Sequence, residues 1–358
     1  MWVLQSSGMD RDAEVYRNEL RLAELAEPLG YDAIWATEHH FTSYIVCPDV
    51  LMFLTYLAGK TKRARLGSGA VILPWHDPIR VAEQISMLDH MSGGRVIFGI
   101  GRGLGRVEFE GLGVPMSESR ERFIEAAQLV LGALETGHAE YDGKFYRQMR
   151  RDLRPKPRST FVGRTYAASI SPESAAIMAR LGVGLLINPQ KNWDAHGEDL
   201  SNYRRIFLEV NSRPAPPPTI VAWVYCHENE DVARERAETY IGAYYRSAMS
   251  HYEMAGTHFA NIRGYEHYAR QSDELAAHGP DAAVQGFLEL HVWGTPEQCV
   301  EKVRRIYQLT GNDHFNGCFS YSGMPYDLAE ASMRLFAKEA MPEIRHLNFA
   351  ETSIAVSR

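Results

Sequence analysis

The stretch "LGSGAVILPWHDPIRVAEQISMLDHMSGGRVIFGIGRGLG", residues 66–105, decides the fold. It reads as a strand, "LGSGAVILP", then a helix, then a second strand, "RVIFGIG". The helix is expected to begin at Asp77-Pro78 and to end at Gly93-Gly94, because proline suits the first helical turn and glycine suits the position after the last. Two strands joined by a covering helix run parallel in one sheet.

The same alternation of short apolar runs and longer helical patterns extends over nearly the whole chain. Repeated strand–helix units predict a parallel sheet covered by helices, and about eight strands favour a closed (β/α)₈ TIM barrel over an open sheet. We therefore expect an α/β protein with a single barrel domain at 1–345 and a C-terminal tail at 346–358. The expected strands are "MWVL", "YDAIWA", "ARLGSGAVILP", "RVIFGIG", "RTYAAS", "VGLLIN", "PTIVAWVYC" and "DHFNGCFSY".

Two segments interrupt this alternation. Residues 138–163 contain the turn "YDGKFY" and resemble a small hairpin. Residues 251–294, before the last strand, are rich in aromatic residues and show no regular period. Because long segments between barrel units commonly serve as lids or binding loops, we expect a lid over the site here. A surface insertion with its own helices is the alternative.

The composition of the 358 residues excludes several classes of protein. The formal charge is −7, from 38 basic and 45 acidic residues, and no basic stripe stands out, so a nucleic-acid surface is not expected. No apolar stretch reaches the roughly 18 residues of a membrane span, and the first residues do not resemble a signal peptide. The four cysteines are too dispersed for a zinc site or a disulfide framework, which fits a reducing, cytoplasmic compartment.

The run "WATEHHF" at 35–41 places a carboxylate and two imidazoles directly after the second expected strand. Active sites of (β/α)₈ barrels lie at the C-terminal ends of the strands, so we expect Glu38, His39 and His40 on that face. Adjacent side chains of an extended chain point in opposite directions, which is poor geometry for binding one metal ion. We expect a catalytic or cofactor-facing histidine; a metal ligand and a structural histidine are the alternatives.

Two further motifs on the same face could bind an anion. "GIGRGLG" at 99–105 superficially matches a dinucleotide fingerprint, but a long loop separates it from the next helix. Its Arg102 offers a guanidinium fork to a phosphate. In "ASISPESAA", Ser171 and Ser174 flank the expected N-terminus of a helix, where hydroxyl and backbone N–H groups favour an anion. An ordinary N-cap is the alternative for Ser171; together, the two motifs favour a mononucleotide.

The chain resembles the bacterial luciferase-like flavin-dependent monooxygenases. The resemblance rests on "DAIWATEHHF", on the 66–105 stretch, on "SESRERFIEA", and on "GTPEQCVEKVRRI" with "MRLFAKEAMPEI", and it covers nearly the whole sequence. It implies a (β/α)₈ fold, reduced FMN supplied by a partner flavin reductase, dioxygen as the oxidant, and a flavin hydroperoxide. It also implies a homodimer or a heterodimer with a related subunit.

The resemblance implies catalytic roles for two residues of the "EHH" run. His39 matches the family's histidine that supports the flavin peroxide, and Glu38 matches the carboxylate before it. We expect His39 to face the flavin ring while Glu38 sets its orientation and charge. Because neighbouring side chains alternate in direction, we expect His40 to point away and to be structural.

The resemblance also implies a set of cofactor contacts. The bond between Gly69 and Ala70 lies where the family has a non-proline cis peptide beneath the flavin ring. Arg102, Ser171 and Ser174 match the family's phosphate contacts.

The sequence departs from the light-emitting subunit of the family next to the flavin ring. Gly101, an expected flavin contact, stands where that subunit has a cysteine, Gly105 stands where it has a tyrosine, and Pro189 replaces a tryptophan. These departures count against light emission and against a long-chain aldehyde substrate.

We therefore predict an FMN-dependent two-component monooxygenase that oxygenates a small, apolar organic substrate held under the 251–294 segment. Two alternatives stay open. One is a deazaflavin-dependent oxidoreductase of the same superfamily, which would not use oxygen. The other is a non-catalytic flavin-binding subunit.

Overall fold

The computed structural model describes residues 1–168, 172–262 and 264–347, and within them the expected barrel is present. Parallel strands form one sheet in the order β1-β2-β4-β7-β8-β9-β10, with β3 paired to β4 and β11 paired to β9. These strands are β1 (Ala33–Ala36), β2 (Arg65–Ser68), β3 (Val71–Ile72), β4 (Val96–Gly101), β7 (Thr165–Ala168), β8 (Gly184–Ile187), β9 (Thr219–Cys226), β10 (Val292–Gly294) and β11 (His314–Cys318). A separate antiparallel hairpin consists of β5 (His138–Asp142) and β6 (Arg147–Asp152), as the "YDGKFY" turn predicts.

The first residues of the chain link the two ends of this sheet. Trp2 forms a parallel bridge with Ala36 at the end of β1. The amino group of Met1 donates a hydrogen bond of 2.8 Å to the carbonyl oxygen of Gly317 in β11. The expected strand "MWVL" is thus reduced to a single bridge, and it nearly closes the barrel between β1 and β11.

Helices cover the outside of the barrel. They are α1 (Asp12–Ala26), α2 (Val50–Lys60), α3 (Pro78–Ser92), α4 (Arg106–Gly111), α5 (Ser119–Thr136), α6 (Pro172–Leu181), α7 (Trp193–Asn211), α8 (Glu230–His251), α9 (Glu266–His278), α10 (Pro280–Glu289), α11 (Pro296–Thr310), α12 (Tyr326–Leu335) and α13 (Met341–Arg345). Helix α3 begins and ends as the sequence predicts: the Asp77 carboxylate accepts hydrogen bonds from the first turn, and Gly93 follows the last turn with a φ of 72°. Within the described ranges, no helix is both long and apolar enough to span a bilayer.

The expected strand at 64–74 is divided into β2 and β3. The division falls at Gly69–Ala70, whose peptide bond is cis, as the resemblance implies. Strands β2 and β4 approach closely at Gly99, where a Cβ atom would lie 1.8 Å from the carbonyl oxygen of Ser68. Glycine is required at this position because any side chain would separate the two strands.

The 251–294 segment is built mainly of helices. It begins at the last residue of α8, continues through α9 and α10, and ends in β10, which pairs with β9 through Val292 and Val224. The last residues of the segment therefore belong to the main sheet, although the sequence pattern includes them in the expected lid. Three residues are too few to show an alternating pattern. Of the expected C-terminal tail, residues 348–358 lie outside the described residues.

Candidate active site

The C-terminal ends of the strands surround a cavity of about 200 Å³, called the central cavity below. The segment after β1, the β2–β3 junction, the end of β4 and the start of α6 all reach it. The predicted site residues that line it are Glu38, His39, Gly69, Ala70, Gly101, Arg102 and Ser174. Ser171, the remaining predicted contact, lies outside the described residues. One cavity therefore unites seven positions that the sequence spreads over 137 residues.

Small residues form one wall of the central cavity. A Cβ atom on Gly101 would lie 2.7 Å from Cδ1 of Ile72 and 3.3 Å from Cβ of Ala70. The cis bond at Gly69–Ala70 lies beside this position. Glycine at 69 and at 101 thus lets Met1, Ile72 and Ala70 pack closely against the backbone of this wall.

His39 is held by a carboxylate from a distant part of the chain. Its Nδ1 lies 2.9 Å from Oε1 of Glu108 on α4, and the same oxygen accepts a 2.9 Å hydrogen bond from the backbone N–H of His40. The Glu108 side chain is fully buried, whereas the His39 side chain is 14% exposed. On the opposite side of the ring, Nε2 lies 3.4 Å from the hydroxyl of Tyr252. His39 is thus anchored at Nδ1 and presents Nε2 towards the cavity.

Glu108 also faces a second imidazole. Nε2 of His251 lies 3.5 Å from Oε2 of Glu108, and Nδ1 of His251 lies 2.9 Å from the hydroxyl of Thr42. Burial alone would raise the pKa of Glu108, but the imidazoles of His39 and His251 outweigh it and lower the pKa to about 2. Since the ionised carboxylate only accepts hydrogen bonds, Nδ1 of His39 donates to Glu108, and Nε2 is the nitrogen that faces Tyr252 and the cavity. Ligand atoms of His39, Glu108 and His251 lie within 4.8 Å of one another, so the three residues could also hold a metal ion.

The expectation that Glu38 orients His39 is wrong. The carboxylate of Glu38, whose residue is 2% exposed, accepts a 2.7 Å hydrogen bond from His76 and lies 3.3 Å from Nε2 of His40. Side chains two residues apart on an extended chain share a face, so Glu38 meets His40 rather than His39. Burial raises the pKa of Glu38, but the hydrogen bonds from His40 and His76 outweigh it and lower the pKa. His40 is not among the residues that line the central cavity.

Two arginines, Arg102 and Arg120, form a basic end of the central cavity, and sequence reasoning missed Arg120. Nη1 of Arg102 donates a 2.9 Å hydrogen bond to the carbonyl oxygen of Gly264, and its guanidinium lies 4.0 Å from the ring centre of Tyr265. Arg120, in the first turn of α5, also lines the cavity and pairs with Glu173. Its side chain is 11% exposed, and its buried Nη2 has no hydrogen-bond partner among the described residues.

The two guanidinium groups of this basic end meet at Gly264. A Cβ atom on Gly264 would lie 2.3 Å from Nη2 of Arg120 and 2.7 Å from Nη1 of Arg102. Arg120 belongs to the "SESRERFIEA" motif, and its place in a motif that carries the family resemblance was the signal that could have identified it. Two close guanidinium groups, one with an unsatisfied donor, are suited to a dianionic phosphate.

A second, larger cavity of about 620 Å³ adjoins the central cavity, and it is called the aromatic cavity below. Helices α8, α9 and α10 and the segment after β8 form its walls. Tyr44, Trp223, Tyr244 and Tyr252 line both cavities. The site therefore consists of a basic end, a centre with a histidine and a carboxylate, and the adjoining aromatic cavity.

Comparison with known proteins agrees with this arrangement. Residues 1–314 match the family model of the luciferase-like monooxygenases. The chain is 25% identical over 339 residues to the alkanal monooxygenase alpha chain of Photorhabdus luminescens, with 93% of each chain covered. It is also 25% identical to the oxygenase component of the flavin-dependent trigonelline monooxygenase of Acinetobacter baylyi, covering 94% of this chain and 92% of the relative.

Solved structures show the same fold. The monooxygenase RslO1 from Streptomyces bottropensis superimposes with a TM-score of 0.78 at 27% identity, covering 92% of this chain and 94% of the other. The predicted barrel and the predicted family resemblance are both confirmed.

We predict that Glu108→Gln lowers the free energy of unfolding by about 3 kcal/mol at neutral pH, the free energy that corresponds to the lowered pKa of Glu108. The pKa of Glu108 is about 2 in the folded protein, against an ordinary value of 4.5. The ionised Glu108 carboxylate therefore stabilises the folded protein fully at pH values above its ordinary pKa of 4.5. This stabilisation is lost as the pH falls towards the pKa of about 2 that Glu108 has in the folded protein. Urea unfolding at a series of pH values should show the difference between variant and wild type shrinking as the solution is acidified.

Glu110→Gln is the matched control, because Glu110 lies on the same helix and its side chain is 64% exposed. It should change stability by less than about 0.5 kcal/mol at every pH. A Glu108→Gln penalty that stays constant down to strongly acidic pH would contradict the assigned charge of Glu108.

Proposed function

Because the chain belongs to the luciferase-like monooxygenase family, we propose that it uses reduced FMN, supplied by a separate flavin reductase, and dioxygen to oxygenate a small organic substrate. The observation that carries this proposal is the central cavity itself. It has a two-arginine end at Arg102 and Arg120, a wall that includes Gly69 and Gly101, and an imidazole, His39, that Glu108 holds at Nδ1.

The basic end fits the phosphate of FMN. Arg120 Nη2 is buried without a hydrogen-bond partner in the described chain, and Arg102 lies beside it at Gly264. A buried, unsatisfied guanidinium donor is costly unless a ligand accepts from it. Ser174, at the start of α6, lines the same cavity and adds a hydroxyl at a helix N-terminus. We propose that Arg102, Arg120 and Ser174 hold the phosphate and that Ser171 adds a further contact.

The glycine wall fits the flavin ring. Gly69, Ala70 and Gly101 line one wall of the central cavity without a large side chain of their own, and we propose that the flat ring of the flavin lies against this wall. When bound, reduced FMN would supply the electrons that activate dioxygen, which protein side chains do not provide.

His39 supplies the acid–base chemistry beside the ring. Glu108 fixes the tautomer by accepting from Nδ1, so Nε2 can take up or return a proton at the cavity surface. Tyr252 lies 3.4 Å from Nε2, and burial raises the pKa of its hydroxyl well above the ordinary value, so it stays a donor. Glu38 acts on the neighbouring pair His40 and His76, and supports the shape of the wall rather than the proton transfer.

Shielding from water is the other contribution of this chain. Two buried tyrosines close the cavity near His39: Tyr44, in the segment after β1, and Tyr244, on α8, are 7% and 4% exposed, and their hydroxyls are 2.5 Å apart. A dry site protects activated oxygen from wasteful release as hydrogen peroxide. The apolar aromatic cavity next to it is the proposed substrate site.

A spectroscopic titration tests the proposal against its alternatives. FMN should bind, and with NADH and a flavin reductase the protein should consume dioxygen and oxygenate a screened substrate. Binding of a deazaflavin in place of FMN, without oxygen use, would support a deazaflavin-dependent oxidoreductase. Tight FMN binding with no turnover of any substrate would support a flavin-binding subunit. The four cysteines are buried free thiols, which fits work in a reducing cytoplasm.

An exposed apolar face supports a dimer. Helices α2 and α3 pack side by side and expose large apolar side chains. Met52 and Tyr56 of α2 are 71% and 45% exposed, and Met87 and Met91 of α3 are 48% and 58% exposed. Clustered apolar groups of this size mark association surfaces. We propose that this face joins two copies of the chain, with a related subunit as the alternative partner.

Arg120→Ala and Arg102→Ala should each weaken FMN binding by about 1.5–3 kcal/mol, the cost of losing a hydrogen bond to a charged group. Riboflavin, which lacks the phosphate, should lose much less affinity. Flavin fluorescence titration measures both. Arg122→Ala is the control, because Arg122 lies on the same helix but pairs with Glu118 outside the cavity lining. Equal losses for FMN and riboflavin would show that neither arginine binds the phosphate.

His39→Ala should leave FMN affinity nearly unchanged but slow substrate oxygenation by about 10²–10⁴-fold, the usual contribution of general acid–base catalysis. A larger share of the NADH oxidised should then appear as hydrogen peroxide. His40→Ala should release no more hydrogen peroxide per NADH than the wild type. Its free energy of unfolding should fall by about 1 kcal/mol, because Glu38 loses one hydrogen-bond partner. Peroxide release per NADH and urea unfolding separate the two variants. If His39→Ala released no more hydrogen peroxide per NADH than the wild type, His39 would have no catalytic role.

The double variant Met87→Glu/Met91→Glu should convert the purified chain from a dimer to a monomer, because charges would be buried in an apolar interface. Light scattering after size-exclusion chromatography gives the mass directly. Met149→Glu is the control, since Met149 is 72% exposed on the β5–β6 hairpin, away from α2 and α3. A monomeric wild-type chain would exclude the homodimer and leave the related subunit as the partner.

A further inference from the structure

The aromatic cavity is surrounded by an unusual number of rings. The aromatic residues that line it are Tyr44, Trp223, Tyr244, Tyr245, Tyr252, Tyr268 and Phe287. Its volume of about 620 Å³ lies within the range for sites that enclose drug-sized molecules. The shared residues open it towards His39, so a molecule bound there would end at the proposed flavin site.

These rings are packed against each other and form fixed walls. The rings of Trp223 and Tyr244 are 4.2 Å apart between centres, and those of Tyr245 and Phe287 are 4.7 Å apart. Tyr244 and Phe287 lie nearly parallel, at an interplanar angle of 18°. Trp223, Tyr244 and Phe287 are each less than 9% exposed. Walls of this kind are preorganised, so a rigid ligand binds without ordering flexible side chains.

Two buried polar atoms near the junction of the cavities lack a hydrogen-bond partner among the residues that the structure describes. Oδ1 of Asn188 and Nε1 of Trp223 are buried and make no hydrogen bond within the described part of the chain. Both residues line both cavities. One atom is an acceptor and the other a donor, so a ligand with hydroxyl and carbonyl oxygens would complement them.

Charge is nearly absent from the walls. Lys191, which lines the cavity, is paired with Asp199. Glu289 is exposed at the rim. An unpaired ionic ligand would find no compensating charge in the described lining and would be costly to bury.

We propose that the aromatic cavity binds an uncharged, planar, multi-ring aromatic molecule carrying oxygen substituents, with one substituent at Asn188 and Trp223. That this molecule is the substrate to be oxygenated rests on the proposed function. Ring–ring contacts favour a planar aromatic ligand over a flexible alkyl chain of equal volume, which gains no such contacts and loses more rotational freedom on binding. The inference thus names the class of substrate.

Direct binding to the flavin-free protein tests this inference without turnover. Alizarin, a three-ring hydroxyquinone, and dodecanal, an alkyl aldehyde, are titrated by calorimetry and by quenching of tryptophan fluorescence. Alizarin should bind at least about tenfold more tightly than dodecanal, the effect of one or two favourable ring pairs. Equal affinities, or tighter binding of dodecanal, would overturn the proposal.

Two variants locate the binding. Phe287→Leu keeps an apolar side chain but removes a ring, so it should weaken alizarin about tenfold and leave dodecanal unchanged. Gly286 lines the same cavity, and a Cβ atom there would meet no neighbouring atom, so Gly286→Leu can add bulk without a clash. It should weaken both probes. Gly132→Leu, in an equally open position on α5, is the control and should weaken neither.

The outcomes separate this inference from the proposed function. If alizarin binds as expected but FMN does not, the aromatic site stands and the FMN proposal fails. If FMN binds but alizarin affinity is unaffected by Gly286→Leu and Phe287→Leu, alizarin lies elsewhere and the aromatic site is overturned. Thermal unfolding of both variants identifies any loss of affinity that comes from misfolding.

Discussion

The buried carboxylate of Glu108 is the interaction on which the candidate site depends. A fully buried negative charge is tolerated only with close partners, and here they come from separate parts of the chain: His39 after β1 and His251 at the end of α8. Because these groups meet at one carboxylate on α4, the charge fixes the position of the segment after β1 and of the start of the 251–294 segment. It also fixes the tautomer of His39, and so decides which nitrogen faces the cavity.

The charge of the candidate site changes from one end to the other. Positive charge is concentrated at Arg102 and Arg120, where a phosphate would be neutralised. The middle holds the anionic carboxylate of Glu108 between the imidazoles of His39 and His251. The aromatic cavity carries almost no charge. Under the proposed function, this gradient would orient the anionic cofactor in one direction and leave the apolar end for a neutral ligand.

The sequence predicted the parts of this arrangement that depend on local pattern. The alternation of strands and helices along the sequence predicts the barrel. Because the barrel places the ends of β1 and β4 on one face, it brings His39, Gly101 and Arg102 together. The cis bond at Gly69–Ala70 was carried over from the family resemblance and is present.

The parts that sequence reasoning missed depend on contacts between distant residues. Glu108 lies 69 residues after His39 and contacts it only because α4 folds back over the site. The adjacent Glu38 was the natural expectation, but the alternation of side chains directs it to His40. Arg120 was missed because a charged residue in the first turn of an amphipathic helix normally faces solvent. β10 was missed because a three-residue strand carries no pattern.

A crystal structure of the complex with FMN tests the central claim most directly. The account predicts the phosphate within hydrogen-bond distance of both Arg102 and Arg120, the ring against the Gly69–Ala70 peptide, and Nε2 of His39 facing the ring. A flavin whose phosphate lies away from both arginines, or whose ring occupies the aromatic cavity, would contradict it.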